Sequence, residues 1–172
     1  MHLKIDNELT MPTLRPATPQ DFEQIWPIFH AVVAKGDTYT YARDTSKEDA
    51  YQLWMELPRS SFVAVEDGLI VGTYFIKTNQ GGGGDHVCNC GYMVAPSARG
   101  RGVAALMCEH SLTMAKEMGY RAMQFNFVVS SNESAVHLWS KLGFATVGRL
   151  PLAFRHPQLG FVDALVMFKS LV

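Results

Sequence analysis

A chain of 172 residues with 48% hydrophobic and 18% charged side chains has the composition of one ordinary globular domain. It is long enough to bury roughly 70% of its unfolded surface around a single core. Its 15 basic and 16 acidic residues leave a formal charge of -1, which excludes the positive footprint of a general nucleic-acid binder. No apolar run reaches the roughly 18 residues of a membrane span, and the opening MHLKIDNELT lacks a secretory hydrophobic stretch. Of the three cysteines, Cys88 and Cys90 sit two apart on a predicted strand, facing the same way without closing a disulfide. A soluble protein of the reducing cytoplasm is expected, with no nucleic-acid or membrane partner. The scattered histidines offer no ligand spacing to the Cys-x-Cys pair, so buried free thiols are expected rather than a metal site.

Residues 1–11 show weak patterning and read as a flexible or edge-strand extension of a single domain spanning 1–172. The organised part starts at Thr13–Arg15. Thr18, Pro19 and Asp21 form a capped helix start, followed by Phe22, Ile25, Trp26, Phe29, Val32 and Val33 at helical spacing up to Gly36. The connection Gly36–Arg43 (GDTYTYAR) carries Tyr39 and Tyr41, which either line a substrate pocket or cap a core edge. Ser46 caps a second predicted helix, Lys47–Leu57, stopped by Pro58. Ser61–Glu66 and Leu69–Thr78 read as strands joined by the Asp67-Gly68 hairpin turn. Gly81–Gly84 reads as a mobile tip, and His86–Val94 as a third antiparallel strand. The stripe Val103, Leu106, Met107, His110, Met114 and Met118 predicts a helix over Arg99–Met118, with His110 as a satisfied core residue. Arg121–Val129 is expected to return as a parallel strand, because a helix separates it from the one before. A helix over Glu133–Leu142 follows Asn132, and Phe144–Arg149 and Phe161–Lys169 read as two last strands linked by a loop over Leu150–Gly160.

The stretch Cys88–Met107 (CNCGYMVAPSARGRGVAALM) has the form of an anion site. The first turn of a helix leaves backbone N–H groups unpartnered at the positive end of the peptide dipoles. Gly100 and Gly102 let the main chain lie against a bulky diphosphate, and Arg99 and Arg101 add cationic donors. No acidic residue interrupts Gly91–Cys108. A P-loop is excluded, since no Gly-Lys-Ser/Thr follows. Gly100-Arg-Gly102-Val-Ala-Ala105 satisfies a degenerate dinucleotide pattern, but the acidic residue that such a site wants about 20 positions on is missing.

Arg99-Gly100-Arg101-Gly102-Val103-Ala104 resembles the R-x-x-G-x-G/A signature of the GCN5-related N-acetyltransferases. Asn132-Glu-Ser-Ala135-Val-His-Leu138-Trp139-Ser-Lys141-Leu-Gly143-Phe144 resembles the second signature of that family. The resemblance implies an α/β fold with a mixed central sheet, antiparallel N-terminal strands, a splayed parallel pair and about four flanking helices. It implies acetyl-CoA as co-substrate, its diphosphate on Arg99, Gly100, Arg101, Gly102, Val103 and Ala104, with Asn132 beside it. The pantetheine would lie between the splayed strands, against unpaired backbone groups near Met93 and Val94. A homodimer is common in the family.

Two departures stand out. The family's frequent general-base Glu matches the segment that here carries Asn89, and its thiolate-protonating Tyr falls at Trp139; neither can titrate in the needed range. Asn89 and Asn126, together with FNFVVSSN, LWSKLGF, LPLAFRHP and GFVDALVM, resemble the branch containing fungal azetidine-2-carboxylate and pyrroline-carboxylate acetyltransferases. That resemblance implies a small amino or imino acid as acceptor, oriented by the two asparagines as the catalytic pair. Beside it, the loop residues Tyr39 and Tyr41 stay candidate substrate contacts, and His156 with Arg155, in the Pro-rich loop before the last strand, either binds a substrate carboxylate or completes a proton path, or lies on the surface. The bland alternative for the asparagines is that they tie down neighbouring backbone. Acetylation of a protein lysine or polyamine, and a catalytically weak acyl-CoA-binding module, stay open.

Overall fold

Short runs of β-branched and aromatic residues, broken by glycine and proline, pair into one seven-stranded sheet in the order β1-β2-β3-β4-β5-β7-β6. The structure, a computed structural model, describes residues 10–172, so the extension expected over 1–11 lies outside it except for exposed Thr10 and Met11. The strands are β1 (Thr13–Pro16), β2 (Ser60–Glu66), β3 (Leu69–Thr78), β4 (Val87–Val94), β5 (Ala122–Val129), β6 (Ala145–His156) and β7 (Gly160–Ser170). β1 to β4 run antiparallel, as do β5, β7 and β6, and the single parallel contact joins β4 to β5. That mixed α/β arrangement is the one the resemblance implies.

Four helices flank the sheet: α1 (Phe22–Lys35), α2 (Lys47–Tyr51), α3 (Val103–Glu117) and α4 (Glu133–Lys141). One face of β3 is covered by α1 and by the continuation of α2, where Trp54 packs edge-on against Phe75, ring centres 4.9 Å apart. The other face meets α3, whose Met107 and Val103 crowd against Gly72. Apolar side chains from both layers are excluded from water, including Phe29, Tyr74, Ile76, Met93, Met107, Met123 and Met167. Each fully buried side chain of this size is worth roughly 1.5–3 kcal/mol.

The structure corrects several boundaries. The helix expected from Arg99 begins at Val103, because Gly100 and Gly102 take left-handed φ values of 72° and 81° and turn the chain first. The single helix expected over Lys47–Leu57 is α-helical only to Tyr51; Gln52–Glu56 widens into a π turn closed by Leu57 N–H on Gln52 O. The wider turn aims Trp54 inward, where its Nε1 donates to Thr73 Oγ1 at 2.9 Å. The loop expected over Leu150–Gly160 is largely strand, since pairing with β7 carries β6 on to His156. Edge position and a bulge accommodate Pro151, and Leu152 N–H bonds Asp163 Oδ1 at 2.9 Å. The tip Gly81–Gly84 holds one tight turn over Gly82–Gly84.

Candidate active site

The site begins where β4 and β5 part. Their ladder holds only the pairs Val87↔Ala122 and Cys88↔Met123 before the strands diverge. At the parting point Asn89, 8% exposed, spans the gap and donates from Nδ2 to the Gln124 carbonyl at 2.9 Å. A carbonyl that a continuing strand would have bonded is thereby satisfied by a side chain.

Beyond that strut the backbone of β4 is half unpaired. Asn79 N–H bonds Val87 O and Ala95 N–H bonds Val71 O. In an antiparallel ladder this alternation turns the odd-numbered residues of β4 toward β3. Met93 is therefore paired with Thr73, and the N–H and C=O groups of Cys90, Tyr92 and Val94 face the gap. Among the two backbone positions expected there, Val94 presents its own polar groups and Met93 contributes only lining. The Tyr92 carbonyl accepts a 2.8 Å bond from the Tyr39 hydroxyl.

Two cavities meet at this gap. The larger, about 550 Å³, lies between the glycine turn and α4. Arg99, Gly100, Gly102, Val103 and Ala104 line it together with Asn132. The first bond within α3 is Leu106 N–H to Gly102 O at 3.1 Å, so the N–H groups of Val103, Ala104 and Ala105 precede any intrahelical partner. A Cβ built on Gly100 or Gly102 meets nothing within 4 Å. Both positions are open to a bulky ligand. Arg101 is not brought to the cavity: it turns away to an ion pair with Glu66. Ser131 adds a feature that sequence reasoning missed, a buried hydroxyl that lines the cavity and has no partner among the described residues.

The smaller cavity, about 290 Å³, lies toward the loop after α1. Tyr39 and Tyr41 stack in its wall, ring centres 5.5 Å apart and 8° from parallel. Phe75 and Gly91 lie behind them; a Cβ on Gly91 would approach Phe75 Cε1 to 2.6 Å and the Tyr39 hydroxyl to 3.1 Å. Glycine is required there by close approach rather than by φ. Asn126 sits on the cavity side of β5 in an amide chain, accepting from Gln124 Nε2 at 2.9 Å and donating to Asn79 Oδ1 at 2.6 Å. Asn89 and Asn126 thus line one cavity, as the sequence suggested, although each also ties down a neighbour. Tyr39, Tyr92, Asn132, Ala135 and Trp139 line both cavities and mark their junction.

The electrostatics of the smaller cavity are one-sided. Among the described residues no Asp, Glu or His lines it. Burial pushes the Tyr39 and Tyr41 hydroxyls upward, and burial with the neighbouring Cys88 does the same to the Cys90 thiol, so all three stay protonated and neutral near pH 7. Trp139 packs its indole 5.0 Å from the Tyr92 ring and 5.2 Å from Phe125. His156 belongs elsewhere: it lines the larger cavity, and its Nδ1 accepts from the N–H groups of Gln158 and Leu159. It does not line the smaller cavity with Tyr39 and Tyr41. His110 is a core partner, 2.6 Å through Nδ1 from the Tyr74 hydroxyl, and all three cysteines are free and buried. Among the described residues no group of three His, Cys, Asp or Glu side chains could hold a metal ion, and no helix is long and apolar enough to cross a membrane.

A mixed sheet forked between its two parallel strands, with a glycine-lined helix N-terminus at the mouth of the fork, is the arrangement that the resemblance to the N-acetyltransferases implies. A family model described as the acetyltransferase (GNAT) family matches residues 23–144, and the chain belongs to that family. A GCN5-related N-acetyltransferase from Kribbella flavida shares the fold with a TM-score of 0.88 at 40% identity, over 92% of this chain and 96% of that one. The N-acetyltransferase aca1 of Schizosaccharomyces pombe is 33% identical over 98 residues, 56% of this chain and 47% of that protein, so the match spans about half the length of this curated relative. A phosphinothricin acetyltransferase from Sinorhizobium meliloti, solved in complex with acetyl-CoA, has the same fold at 18% identity, with a TM-score of 0.82 over 94% of this chain and 89% of its own.

Proposed function

We propose that the chain is an acetyl-CoA-dependent N-acetyltransferase whose acceptor is a small amino or imino acid. The observation that carries this reading is the fork: unpaired backbone groups of β4 lie where a long cavity and a short one meet. The residues of the larger cavity suit the co-substrate. Arg99 and the N–H groups of Val103, Ala104 and Ala105 would hold the diphosphate, the N–H and C=O groups of Val94 and the N–H of Tyr92 would bond the pantetheine amides, and Ser131 would supply a hydroxyl partner. Bound there, acetyl-CoA supplies an acetyl thioester at the junction.

The chain's own residues then hold an amine in the smaller cavity. Asn89 and Asn126 orient it, Tyr39 and Tyr41 wall it, and Trp139 packs on Tyr92 and Phe125 at the junction. Positioning of this kind removes several kcal/mol from the barrier of a bimolecular step. The amine nitrogen forms the new C–N bond, the C–S bond breaks, the thiolate leaves with CoA and the amine proton passes to solvent. Direct attack is favoured because Cys90, the thiol lining the smaller cavity, is held protonated and is a poor nucleophile. The lack of carboxylates in that cavity disfavours polyamine and lysine acceptors, whose cations would find no counter-charge.

The test is a thiol-release assay across proline-like imino acids, α-amino acids, polyamines and lysine peptides, paired with acetyl-CoA binding by calorimetry. Acceptor-dependent CoA release with a small amino or imino acid is expected, and Gly102→Glu should abolish acetyl-CoA binding by adding bulk and negative charge at the diphosphate. Binding without any acceptor-dependent release would overturn the enzymatic reading in favour of a binding module; unchanged binding in the Gly102 variant would overturn the cofactor site.

A further inference from the structure

Lys77 takes part in none of the roles above, yet among the described residues it is the only cationic one lining the smaller cavity. Its place follows from the ladder. Lys77 pairs directly with Asn89 across β3 and β4, and Phe75 pairs with Gly91. The side chains of alternate residues share one face of a strand, so Phe75, Lys77, Asn89 and Gly91 form one patch of cavity wall. The Lys77 ammonium leans back over the Phe75 ring, 5.5 Å from its centre. That ring is itself fixed by Trp54 and Gly91. The exposed lysine thus holds its head over that ring, in the cavity wall that Asn89 and Asn126 also line.

No ion pair to Lys77 occurs among the described residues, although five other cationic side chains in them are paired with carboxylates. Nor do the described residues bring any carboxylate to the cavity wall. The Asn126 amide adds to the imbalance. Its oxygen accepts from Gln124 and one of its N–H groups donates to Asn79, which leaves one N–H free to donate beside one oxygen lone pair. A cavity with an unpaired ammonium, a spare amide N–H and no acid is built to receive an anionic group.

We propose that Lys77 is the specificity-determining anchor of the acceptor, binding its carboxylate while the neighbouring amine points to the junction at Tyr92 and Trp139. This rests on the acetyltransferase reading and narrows it: the substrate must carry an anion close to its amine, and a neutral or cationic amine of the same size is discriminated against. A charge-assisted hydrogen bond of this kind is worth about 10- to 100-fold in binding.

The experiment compares kcat/KM for matched acceptors on the intact protein: an imino acid, its carboxamide, the same ring without a carboxyl group, and an amino phosphonate. Wild type should favour the carboxylate over the carboxamide by about 10- to 100-fold. Lys77→Met, which keeps the stem on Phe75, should erase that preference by raising KM for the carboxylate alone, leaving KM for acetyl-CoA and turnover of the neutral ring amine unchanged. Lys77→Arg should restore most of the preference, which a merely structural lysine would not require. A phosphonate that matches the carboxylate assigns the site to anions in general, and one that is rejected assigns it to the planar carboxylate; both support an anion anchor. A carboxylate preference equal in wild type and Lys77→Met, or no preference in wild type, overturns the proposal while leaving the acetyltransferase reading intact. Failure of every amine to release CoA overturns both.

Discussion

Replacing Asn89 tests whether the fork is held open by a side chain. In Asn89→Ala the 2.9 Å bond from Nδ2 to the Gln124 carbonyl is lost, together with about 0.5–1.5 kcal/mol of net hydrogen bonding. The carbonyl left behind sits in a strand whose neighbours are mostly buried, and stranding such a group costs about 1–3 kcal/mol. A loss of about 2 kcal/mol is expected, equivalent to about 4–8 °C in Tm for a domain of this length. Asn89→Asp sharpens the test, because an ionised carboxylate would face a carbonyl oxygen with no proton to offer. Next to that oxygen the folded-state pKa of the new aspartate is raised above its unfolded value near 4. The penalty is then fully present above the folded pKa and disappears as pH falls below the unfolded one, where the protonated acid can donate. Urea titrations of wild type, Asn89→Ala and Asn89→Asp from pH 3.5 to 7.5 measure both effects. If both variants unfold with the wild-type midpoint at pH 7, or if the Asp variant gains nothing relative to wild type on acidification, Asn89 is not a strut.

Asp21 offers a second pH signature: its carboxyl is pulled down to about 2 by the Arg15 guanidinium, helped by bonds from Thr18. With the folded pKa depressed, the stabilisation is present above the unfolded value near 4 and is lost as pH falls through about 2. Asp21→Asn should therefore melt below wild type at pH 6 and converge with it near pH 2; parallel curves at both pH values would refute the coupling. For Ser131, removing an unpaired buried hydroxyl should leave the free protein as stable as before or slightly more so, while weakening acetyl-CoA by about 2- to 10-fold. Calorimetry that finds Ser131→Ala destabilised, with acetyl-CoA affinity unchanged, would show that the hydroxyl serves the fold alone.

Local patterning carried much of the architecture. The helical stripes from Phe22 and Val103, the Asp67-Gly68 hairpin and the separation of β4 from β5 by a helix are short-range properties, legible because periodicity and turn chemistry act over a few residues. The glycine turn was legible for the same reason: left-handed φ values at Gly100 and Gly102 demand that residue type. What failed was long-range. The extension of β6 through Leu150–His156 depends on pairing with β7, and the π turn at Gln52–Glu56 on the place of Trp54 beneath β3.

Within the site the division is the same. The sequence by itself determined a glycine-rich helix N-terminus, two asparagines on neighbouring strands, and Asn89 where the family's frequent Glu falls, since each is a matter of residue identity at a local position. Only the tertiary structure decided which cation serves which cavity. Arg101, adjacent to the turn, is diverted to Glu66, a residue 35 positions away in sequence; His156 lines the larger cavity; and Lys77, unremarkable on its strand, is set opposite Asn89 by the β3–β4 register. Side-chain direction and charge pairing are properties of contacts between distant segments, and no single strand contains them.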